Sequence, residues 1–239
     1  TMLHSEREFM KLVSILIPVY NEKQSLEKLL EKVEEAPFAG LEKEIILVDD
    51  CSTDGTKDIL KNLESKYKVL YHDVNQGKGA ALRTGFSAVT GDIAVIQDAD
   101  LEYDPKDYDG VLKLILDDEA DIAYGSRFLD LTQSKTVVKI NFFANKMLTL
   151  MTNILFGAKL TDMETCYKAF KTEFLKGITI KSDRFDFEPE ITAKMLKKKA
   201  RLKEAPISYQ GRTFEEGKKV TMADGIHAVI ALIKYRFID

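Results

Sequence analysis

The chain contains few of the residues that mark several specialised classes of protein. Its 239 residues include no tryptophan, two cysteines, three histidines and five prolines. Two cysteines, Cys51 and Cys166, are too few for a disulfide framework, and neither lies in a zinc-binding spacing. Such sparse cysteine is typical of a reducing compartment, so we expect cytoplasmic localisation.

Long apolar runs and a large net charge are also absent from the sequence. No uncharged apolar run reaches the ~18 residues that a membrane-spanning helix requires, so we expect any membrane contact to be peripheral. The formal net charge is −4, which gives no general signature of nucleic-acid binding. Residues 193–239 nevertheless carry a net charge of +6. This basic segment is typical of a surface facing anionic lipid or phosphate, although a solvated lysine-rich helix face explains it equally well.

Apolar strands and amphipathic helices alternate through the first half of the chain. The predicted strands are 13–19, 44–48, 68–72, 92–97 and 121–126. The predicted helices between them are 22–35, 56–66, 80–89 and 105–118. Strands that are apolar throughout and joined by helices predict an α/β fold, with a mostly parallel sheet covered on both faces. The fingerprint G-x-G-x-x-G is missing, which disfavours a redox dinucleotide fold.

The second half is less regular, with predicted helices at 139–156, 189–199 and 221–237 and a predicted strand at 202–210. The helix 139–156 carries an apolar stripe, and further apolar residues lie outside it. The predicted stripe comprises Ile140, Phe143, Met147, Met151, Ile154 and Leu155, and Phe142, Leu150 and Phe156 lie outside. This width fits a helix lying on a membrane or partner, and it fits a core helix equally well. We expect one domain over residues 1–239.

Polar clusters follow the predicted strands at the positions where ligands bind on parallel sheets. They read "YNE", "DDCSTDGT", "NQGKG", "DADLE" and "GSR". In "DADLE", the carboxylates Asp98, Asp100 and Glu102 occupy alternate positions, which point to one side of an extended chain. Oxygen ligands in this arrangement suit Mg²⁺ or Mn²⁺, which complete their coordination with substrate phosphates and water. The D-x-D pattern is weak evidence by itself, and its position at a strand end strengthens it.

Several other polar residues are candidates for ligand contacts. One aspartate of the pair 49–50 is a candidate acceptor for a nucleobase edge, and Lys78 is a candidate phosphate cation near a helix N-terminus. Arg127, Arg212 and Lys218 are candidate phosphate clamps. Solvated surface cations and simple turns explain each of these residues when it is taken singly. No Ser-His-Asp or Cys-His arrangement is recognisable, which disfavours covalent hydrolase chemistry.

Taken together, these motifs resemble the family 2 glycosyltransferases of GT-A fold, specifically the polyprenyl-phosphate sugar transferases. The matching segments occur in the order of that family, from Ser14 to Lys219. They are "SILIPVYNE", "ILVDDCSTDGT", "NQGKGAALRTG", "QDADLEYDP", "GSRF", "DMETCYKAF", "FEPEITAK" and "ISYQGRTFEEGKK". The resemblance implies a Rossmann-like sheet, with a nucleotide-sugar-binding half at 13–128 and an acceptor-binding half at 129–239 that carries the acceptor-side helices.

The resemblance also implies a set of residues that bind the donor. Those facing the nucleoside and the base pocket are Pro18, Tyr20, Glu22, Val48 and Asp50, with Asp50 on the base edge. Those facing the ribose, the diphosphate and the metal are Asp98, Ala99, Asp100 and Glu102. The third metal ligand varies in the family, so Asp100 is a firmer expectation than Glu102.

On the acceptor side, the resemblance implies that Arg127 meets the acceptor phosphate and that Asp162 is the acceptor-side acid. Arg212 and Lys218 match a pair that engages the donor diphosphate or the acceptor phosphate. Whether Asp162 acts as a base or as an orienting group depends on the acceptor. A phosphate is already ionised near neutral pH, whereas a sugar hydroxyl requires a base.

The resemblance thus implies an inverting, metal-dependent transferase that moves a hexose from GDP-mannose or UDP-glucose to polyprenyl phosphate. Dolichyl and undecaprenyl phosphates are the expected lipids. An alternative acceptor is the hydroxyl of a soluble or cell-wall saccharide, and a non-catalytic sugar-nucleotide sensor is a further hypothesis. We expect the protein at the cytoplasmic face of a membrane, without a nucleic-acid partner, and homo-oligomerisation stays open.

Overall fold

The structure, a computed structural model, describes residues 11–130, 132, 134–135, 139–212 and 222–238. The strands in these ranges are β1 (Leu12–Val19), β2 (Glu42–Asp49), β3 (Lys68–Tyr71), β4 (Ile93–Ile96), β5 (Ile122–Ser126), β6 (Ser134–Lys135), β7 (Lys168–Lys171), β8 (Leu202–Pro206) and β9 (Tyr209–Gln210). The helices are α1 (Leu26–Glu35), α2 (Thr56–Leu63), α3 (Lys78–Ala88), α4 (Tyr108–Leu116), α5 (Lys139–Phe156), α6 (Thr172–Leu175), α7 (Phe187–Lys197) and α8 (Met222–Phe237). A 3₁₀ turn, Pro105–Asp107, precedes α4.

Seven of these strands form one sheet, in the order β3-β2-β1-β4-β7-β5-β8. Its pairs are parallel except those of β7, which runs antiparallel to both β4 and β5. The predicted mostly parallel α/β sheet is therefore confirmed. The sheet also shows why β1 is apolar along its length. Val13, Ile15 and Ile17 pack into the core on the side of α1 and α4, while Leu16 packs into the core on the side of α7.

The sequence interpretation missed β7, although this strand lies in the middle of the sheet. Its sequence is "KAFK", and all four residues are buried. Two lysines in four residues hide the apolar pattern that normally identifies a central strand. Both lysines are buried because each forms ion pairs, Lys168 with Glu188 and Lys171 with Asp118 and Asp121.

The sequence predicted one continuous strand over 202–210, and this prediction is wrong. It divides into β8, at the edge of the large sheet, and β9, which pairs with β6 in a separate two-stranded ribbon. Some predicted helix starts also shift. The first helix begins at Leu26, after a hydrogen-bonded turn that starts at Glu22, and α7 begins at Phe187, ahead of Pro189.

Helix α5 is apolar on two sides. One side packs against α8, where Leu148, Leu160 and Leu232 are buried in a shared cluster. The other side exposes Phe143, Met147, Leu150 and Ile154. Leu150 lies on the same face as Phe143, because seven residues complete about two helical turns. The prediction that Leu150 lies outside the apolar stripe is therefore wrong. No helix among the described residues is both long and apolar enough to cross a membrane.

Candidate active site

The candidate site lies where the carboxyl ends of neighbouring strands meet. In the register of β1 and β2, Pro18 lies beside Val48. Three non-glycine residues directly after predicted site residues adopt a left-handed backbone: Asn21 (φ 53°), Cys51 (φ 63°) and Leu101 (φ 65°). This conformation is uncommon for residues with a side chain and concentrates at functional sites. It turns the chain sharply after Tyr20, Asp50 and Asp100.

Asp50 is buried and holds the loop that precedes α3. Its Oδ1 accepts hydrogen bonds from Gln76 N and from His72 Nδ1, both at 2.8 Å, and its Oδ2 accepts one from Gly77 N at 2.7 Å. The other ring nitrogen of His72 lies 2.9 Å from Thr84 Oγ1. The role of Asp50 on a base edge stays a prediction. Sequence reasoning missed His72, because a lone histidine at a strand end carries no motif.

The glycines of "NQGKG" are required by close packing of the backbone. A Cβ atom on Gly77 would lie 2.4 Å from the carbonyl oxygen of Asp183, and one on Gly79 would lie 2.3 Å from that of Ser182. The φ angle of Gly77 is 100°, which side chains rarely adopt. These glycines therefore bring the N-terminus of α3, with Lys78, against the segment that leads into α7.

The three carboxylates of "DADLE" have different partners. Asp98 Oδ1 lies 2.7 Å from Lys78 Nζ. Burial alone would raise the pKa of Asp98, but the Lys78 ammonium lowers it. Glu102 accepts hydrogen bonds from Tyr209 Oη at 2.8 Å and from Arg212 N at 2.7 Å. Asp100 accepts a hydrogen bond from the backbone N–H of Glu102 at 3.0 Å.

Of these three carboxylates, Asp100 has the fewest neighbouring groups that stabilise its negative charge. Burial, followed by repulsion from Asp98 and Glu102, raises its pKa to about 8. A divalent cation would relieve this repulsion, and carboxylate oxygens are the ligands that Mg²⁺ and Mn²⁺ prefer. Among the described residues, however, no group of three or more metal-binding side chains is arranged to hold an ion. Mg²⁺ is usually held by one or two carboxylates and completed by water and substrate phosphates, which is a donor set that this segment can supply.

Arg212 connects this acidic segment to the end of β1. Its Nη1 lies 3.1 Å from Glu22 Oε2, and its backbone N–H donates to Glu102. Glu22 and Glu102 thus fix both the side chain and the backbone of Arg212 in the site. Its role as a phosphate clamp stays a prediction. Lys218, the predicted second member of this clamp, lies outside the described residues.

Arg127 and Asp162 form a buried bidentate pair at the end of β5. Arg127 Nε and Nη2 donate to the two carboxylate oxygens of Asp162, both at 2.7 Å, and the backbone N–H of Arg127 donates at 3.0 Å. Glu204 on β8 accepts the backbone N–H groups of Thr161 and Asp162. The guanidinium lies 5.2 Å from the ring of Tyr209, which itself donates to Glu102. One aromatic ring therefore separates this cation from the acidic segment.

Charged residues that the sequence interpretation did not single out lie between these groups, and two of them, Lys168 and Glu188, are buried. Lys168 pairs with Glu188, and Glu188 Oε1 lies 3.6 Å from Lys78 Nζ. Burial, followed by repulsion from Glu188, raises the pKa of Glu164 to about 7. The sequence could have pointed to Glu164 and Glu188, because they lie in the family-like segments "DMETCYKAF" and "FEPEITAK".

The architecture is that of the GT-A glycosyltransferases. A solved structure of glucosyl-3-phosphoglycerate synthase from Mycobacterium tuberculosis, in complex with Mn²⁺, UDP and glucosyl-3-phosphoglycerate, superposes with a TM-score of 0.74. The match covers 99% of this chain and 84% of that one at 17% identity. At this identity the likeness shows the fold alone.

The sequence matches the model of the glycosyl transferase family 2 over residues 14–179, and the protein belongs to this family. It is an enzyme of the glycosyltransferase class. The UDP-N-acetylglucosamine–dolichyl-phosphate N-acetylglucosaminyltransferase of Methanococcus voltae is 27% identical, over 94% of this chain and 96% of its own length. The dolichol-phosphate mannosyltransferase of Pyrococcus furiosus is 39% identical over 119 residues, which are 49% of this chain and 33% of that protein.

Proposed function

We propose that this protein transfers a hexose from a nucleotide sugar to a polyprenyl phosphate. The observation that carries the proposal is the proximity of a buried cation, Arg127, to the acidic segment 98–102, with Tyr209 between them. An anionic acceptor would bind on the cation side, and a donor diphosphate would bind on the acidic side. The near full-length likeness to the Methanococcus voltae dolichyl-phosphate transferase supports the lipid acceptor.

The hydrogen bonds of Asp162 favour a phosphate acceptor over a hydroxyl acceptor. Both of its oxygens accept from Arg127, and its side chain is fully buried. A carboxylate bound in this way orients the guanidinium and is poorly placed to remove a proton. A phosphate acceptor needs no base, because its oxygen is already ionised near neutral pH.

The proposed reaction is a direct displacement at the anomeric carbon. A phosphate oxygen of the acceptor forms a bond to that carbon, while the bond to the nucleoside diphosphate breaks and the diphosphate departs with both electrons. Attack from the face opposite the leaving group inverts the anomeric centre. Catalysis then depends on positioning and on neutralising charge, which are the effects that a preorganised polar site supplies.

We propose Asp100 as the main protein ligand of a divalent cation, Mg²⁺ or Mn²⁺. Asp98 is the second candidate, whereas Glu102 is less available because both its oxygens hold the segment 209–212. A bound cation would supply neutralisation of the departing diphosphate. Lys78, paired with Asp98 at 2.7 Å, places a fixed positive charge on the same side.

The assay that tests this function uses purified protein, a short-chain polyprenyl phosphate and labelled sugar nucleotides. We expect labelled lipid from at least one of GDP-mannose, UDP-glucose and UDP-GlcNAc in the presence of Mn²⁺. Soluble acceptors, including 3-phosphoglycerate and simple saccharides, form the comparison set because the superposed enzyme makes a soluble glucosyl product. Transfer to these acceptors with no labelled lipid would contradict the proposal.

We also propose that the exposed face of α5 contacts the membrane that carries the acceptor. Phe143 is 67% exposed and Ile154 is 74% exposed, on one side of a helix whose other side packs against α8. Helix α8 exposes Ile226, Ile230 and Phe237 and ends with Lys234 and Arg236 in its last turn. Apolar side chains with nearby basic groups fit a surface of anionic lipid.

Replacing Phe143 and Ile154 together by serine is expected to weaken binding to anionic vesicles by at least about tenfold, because two apolar side chains no longer enter the interface. Co-sedimentation with phosphatidylglycerol vesicles measures the effect. Val74 is 63% exposed and lies after β3, so Val74→Ser serves as the control and should bind like the wild type. Equal sedimentation of all three proteins would exclude this face as the contact.

A further inference from the structure

We propose that Glu188 is a positioning residue that couples the donor side of the site to the acceptor-side loop 162–166. The inference rests on the proposed function and adds to it a physical connection between the two substrates. Glu188 lies in the second position of α7 and is 3% exposed. It belongs to the segment "FEPEITAK", to which the reaction described above assigns no role.

One oxygen of Glu188 faces the donor side. Its Oε1 lies 3.6 Å from Lys78 Nζ, and the same ammonium lies 2.7 Å from Asp98 Oδ1. Oε1 accepts no hydrogen bond from any residue that the structure describes. Lys78 is therefore shared between two carboxylates, and it pairs closely with only one of them. Any diphosphate that attracts Lys78 changes the balance between these two contacts.

The other oxygen of Glu188 faces the acceptor side. Its Oε2 accepts a hydrogen bond from Lys168 Nζ, and Lys168 is fully buried. The same ammonium donates to the carbonyl oxygens of Met163, at 3.1 Å, and of Thr165. Lys168 thus fixes the backbone of the loop in which Asp162 holds Arg127. The position of this loop determines where the acceptor cation lies.

The arrangement of charges shows how Glu188 connects the donor side to the acceptor side. Two carboxylates and two ammonium groups, those of Asp98, Glu188, Lys78 and Lys168, form one cluster that is largely shielded from solvent. Glu188 forms an ion pair with each of the two ammonium groups, whereas Asp98 forms one with Lys78. In a region of low dielectric, a change in one ion pair is felt strongly by its neighbours. Movement of Lys78 toward a ligand therefore changes the strength of the Glu188–Lys168 ion pair.

A network of this kind also stabilises the fold, so the test needs a control that separates stability from coupling. Strand β7 supplies one, because Lys171 is a second buried lysine three residues from Lys168. Lys171 pairs with Asp118 and Asp121 at the opposite end of the sheet, away from the site. Lys171→Met and Lys168→Met each remove a buried ammonium from the same strand.

The experiment measures the KM of the sugar nucleotide, the KM of a short-chain polyprenyl phosphate and kcat for wild type, Glu188→Gln, Lys168→Met and Lys171→Met. Glu188→Gln and Lys168→Met should each raise both KM values by about tenfold. The double variant Glu188→Gln/Lys168→Met should raise the two KM values no further than the more severe single variant does, because both changes break one connection. Lys171→Met should unfold more easily and keep both wild-type KM values.

Calorimetric titration with the nucleoside diphosphate alone provides a readout that does not require transfer. Glu188→Gln should bind the nucleotide more weakly than Lys171→Met does. If Glu188→Gln does not fold, Glu188→Asp tests the same connection, because it keeps the charge and shortens the reach toward the two lysines.

The outcomes separate this inference from the proposed function. If the wild type transfers sugar to the lipid while Glu188→Gln keeps both KM values, the coupling is refuted and the function stands. If the wild type transfers nothing to the lipid, the proposed function fails. The nucleotide titration still tests whether Glu188 affects donor binding. Equal nucleotide affinity of Glu188→Gln and Lys171→Met would then refute the role of Glu188.

Discussion

Replacing Asp100 by asparagine is expected to lower kcat/KM by about 10²–10³-fold, the range for removing one preorganised charge-stabilising group. The same change should make the ligand-free protein more stable to unfolding. Burial and repulsion from Asp98 and Glu102 raise the pKa of Asp100 to about 8, so its charge is unfavourable in the folded protein. At neutral pH, folding must therefore either protonate this carboxyl or bury its charge, and asparagine avoids both costs at nearly constant shape.

The expected gain in unfolding free energy is about 1 kcal/mol or more, since one pKa unit corresponds to ~1.4 kcal/mol. Urea unfolding in EDTA at neutral pH measures the gain, and steady-state assays with Mn²⁺ measure the loss of activity. Asp58→Asn is a suitable control, because the Asp58 side chain is 80% exposed and pairs with Lys61 on the surface of α2. Undiminished activity in Asp100→Asn would refute its assignment as the metal ligand.

Replacing Arg127 by methionine is expected to lower the unfolding free energy by about 3–5 kcal/mol, the cost of breaking one buried ion pair. Asp162 is fully buried and accepts three hydrogen bonds from Arg127, and the substitution removes the two that come from the guanidinium. One of the three comes from the backbone of Arg127 and remains available. Transfer to polyprenyl phosphate should also fall sharply, because the acceptor loses its cation.

The double variant Arg127→Met/Asp162→Asn separates these two effects. It should recover part of the lost stability, because the unpaired charge is gone, and it should recover none of the activity. Denaturant midpoints and acceptor KM values measure the two quantities on the same preparations. Recovery of transfer in the double variant would show that Arg127 acts only by holding Asp162 and has no contact with the acceptor.

The sequence predicted the parts of the fold and site that depend on local pattern. Apolar runs at regular spacing identified β1, β2, β4 and β5, and the polar residues after them marked the edge of the sheet where the site lies. The pattern failed at β7, because Lys168 and Lys171 occupy buried positions that local hydropathy assigns to the surface. It also failed at Ile207–Ser208, where a run that reads as one strand leaves the sheet.

The partners of the site residues depend on contacts between distant parts of the chain. Lys78 and Asp98 are 20 residues apart, Arg127 and Asp162 are 35 apart, and Glu22 and Arg212 are 190 apart. A motif fixes which residue types are present, but it does not state which carboxylate neutralises which cation. Asp98 and Asp100 illustrate the difference, since they share one motif and have opposite pKa shifts.

The sequence by itself determined the α/β class, the family resemblance and the identity of the carboxylates and cations at the strand ends. Strand hydropathy and the order of motifs are properties of neighbouring residues, so they can be read along the chain. Only the tertiary structure decided that Asp162 is bound by Arg127, that Glu102 holds the segment 209–212, and that Glu188 lies between Lys78 and the buried Lys168. Burial and pairing set the charge and position of these groups, and both are properties of the folded chain.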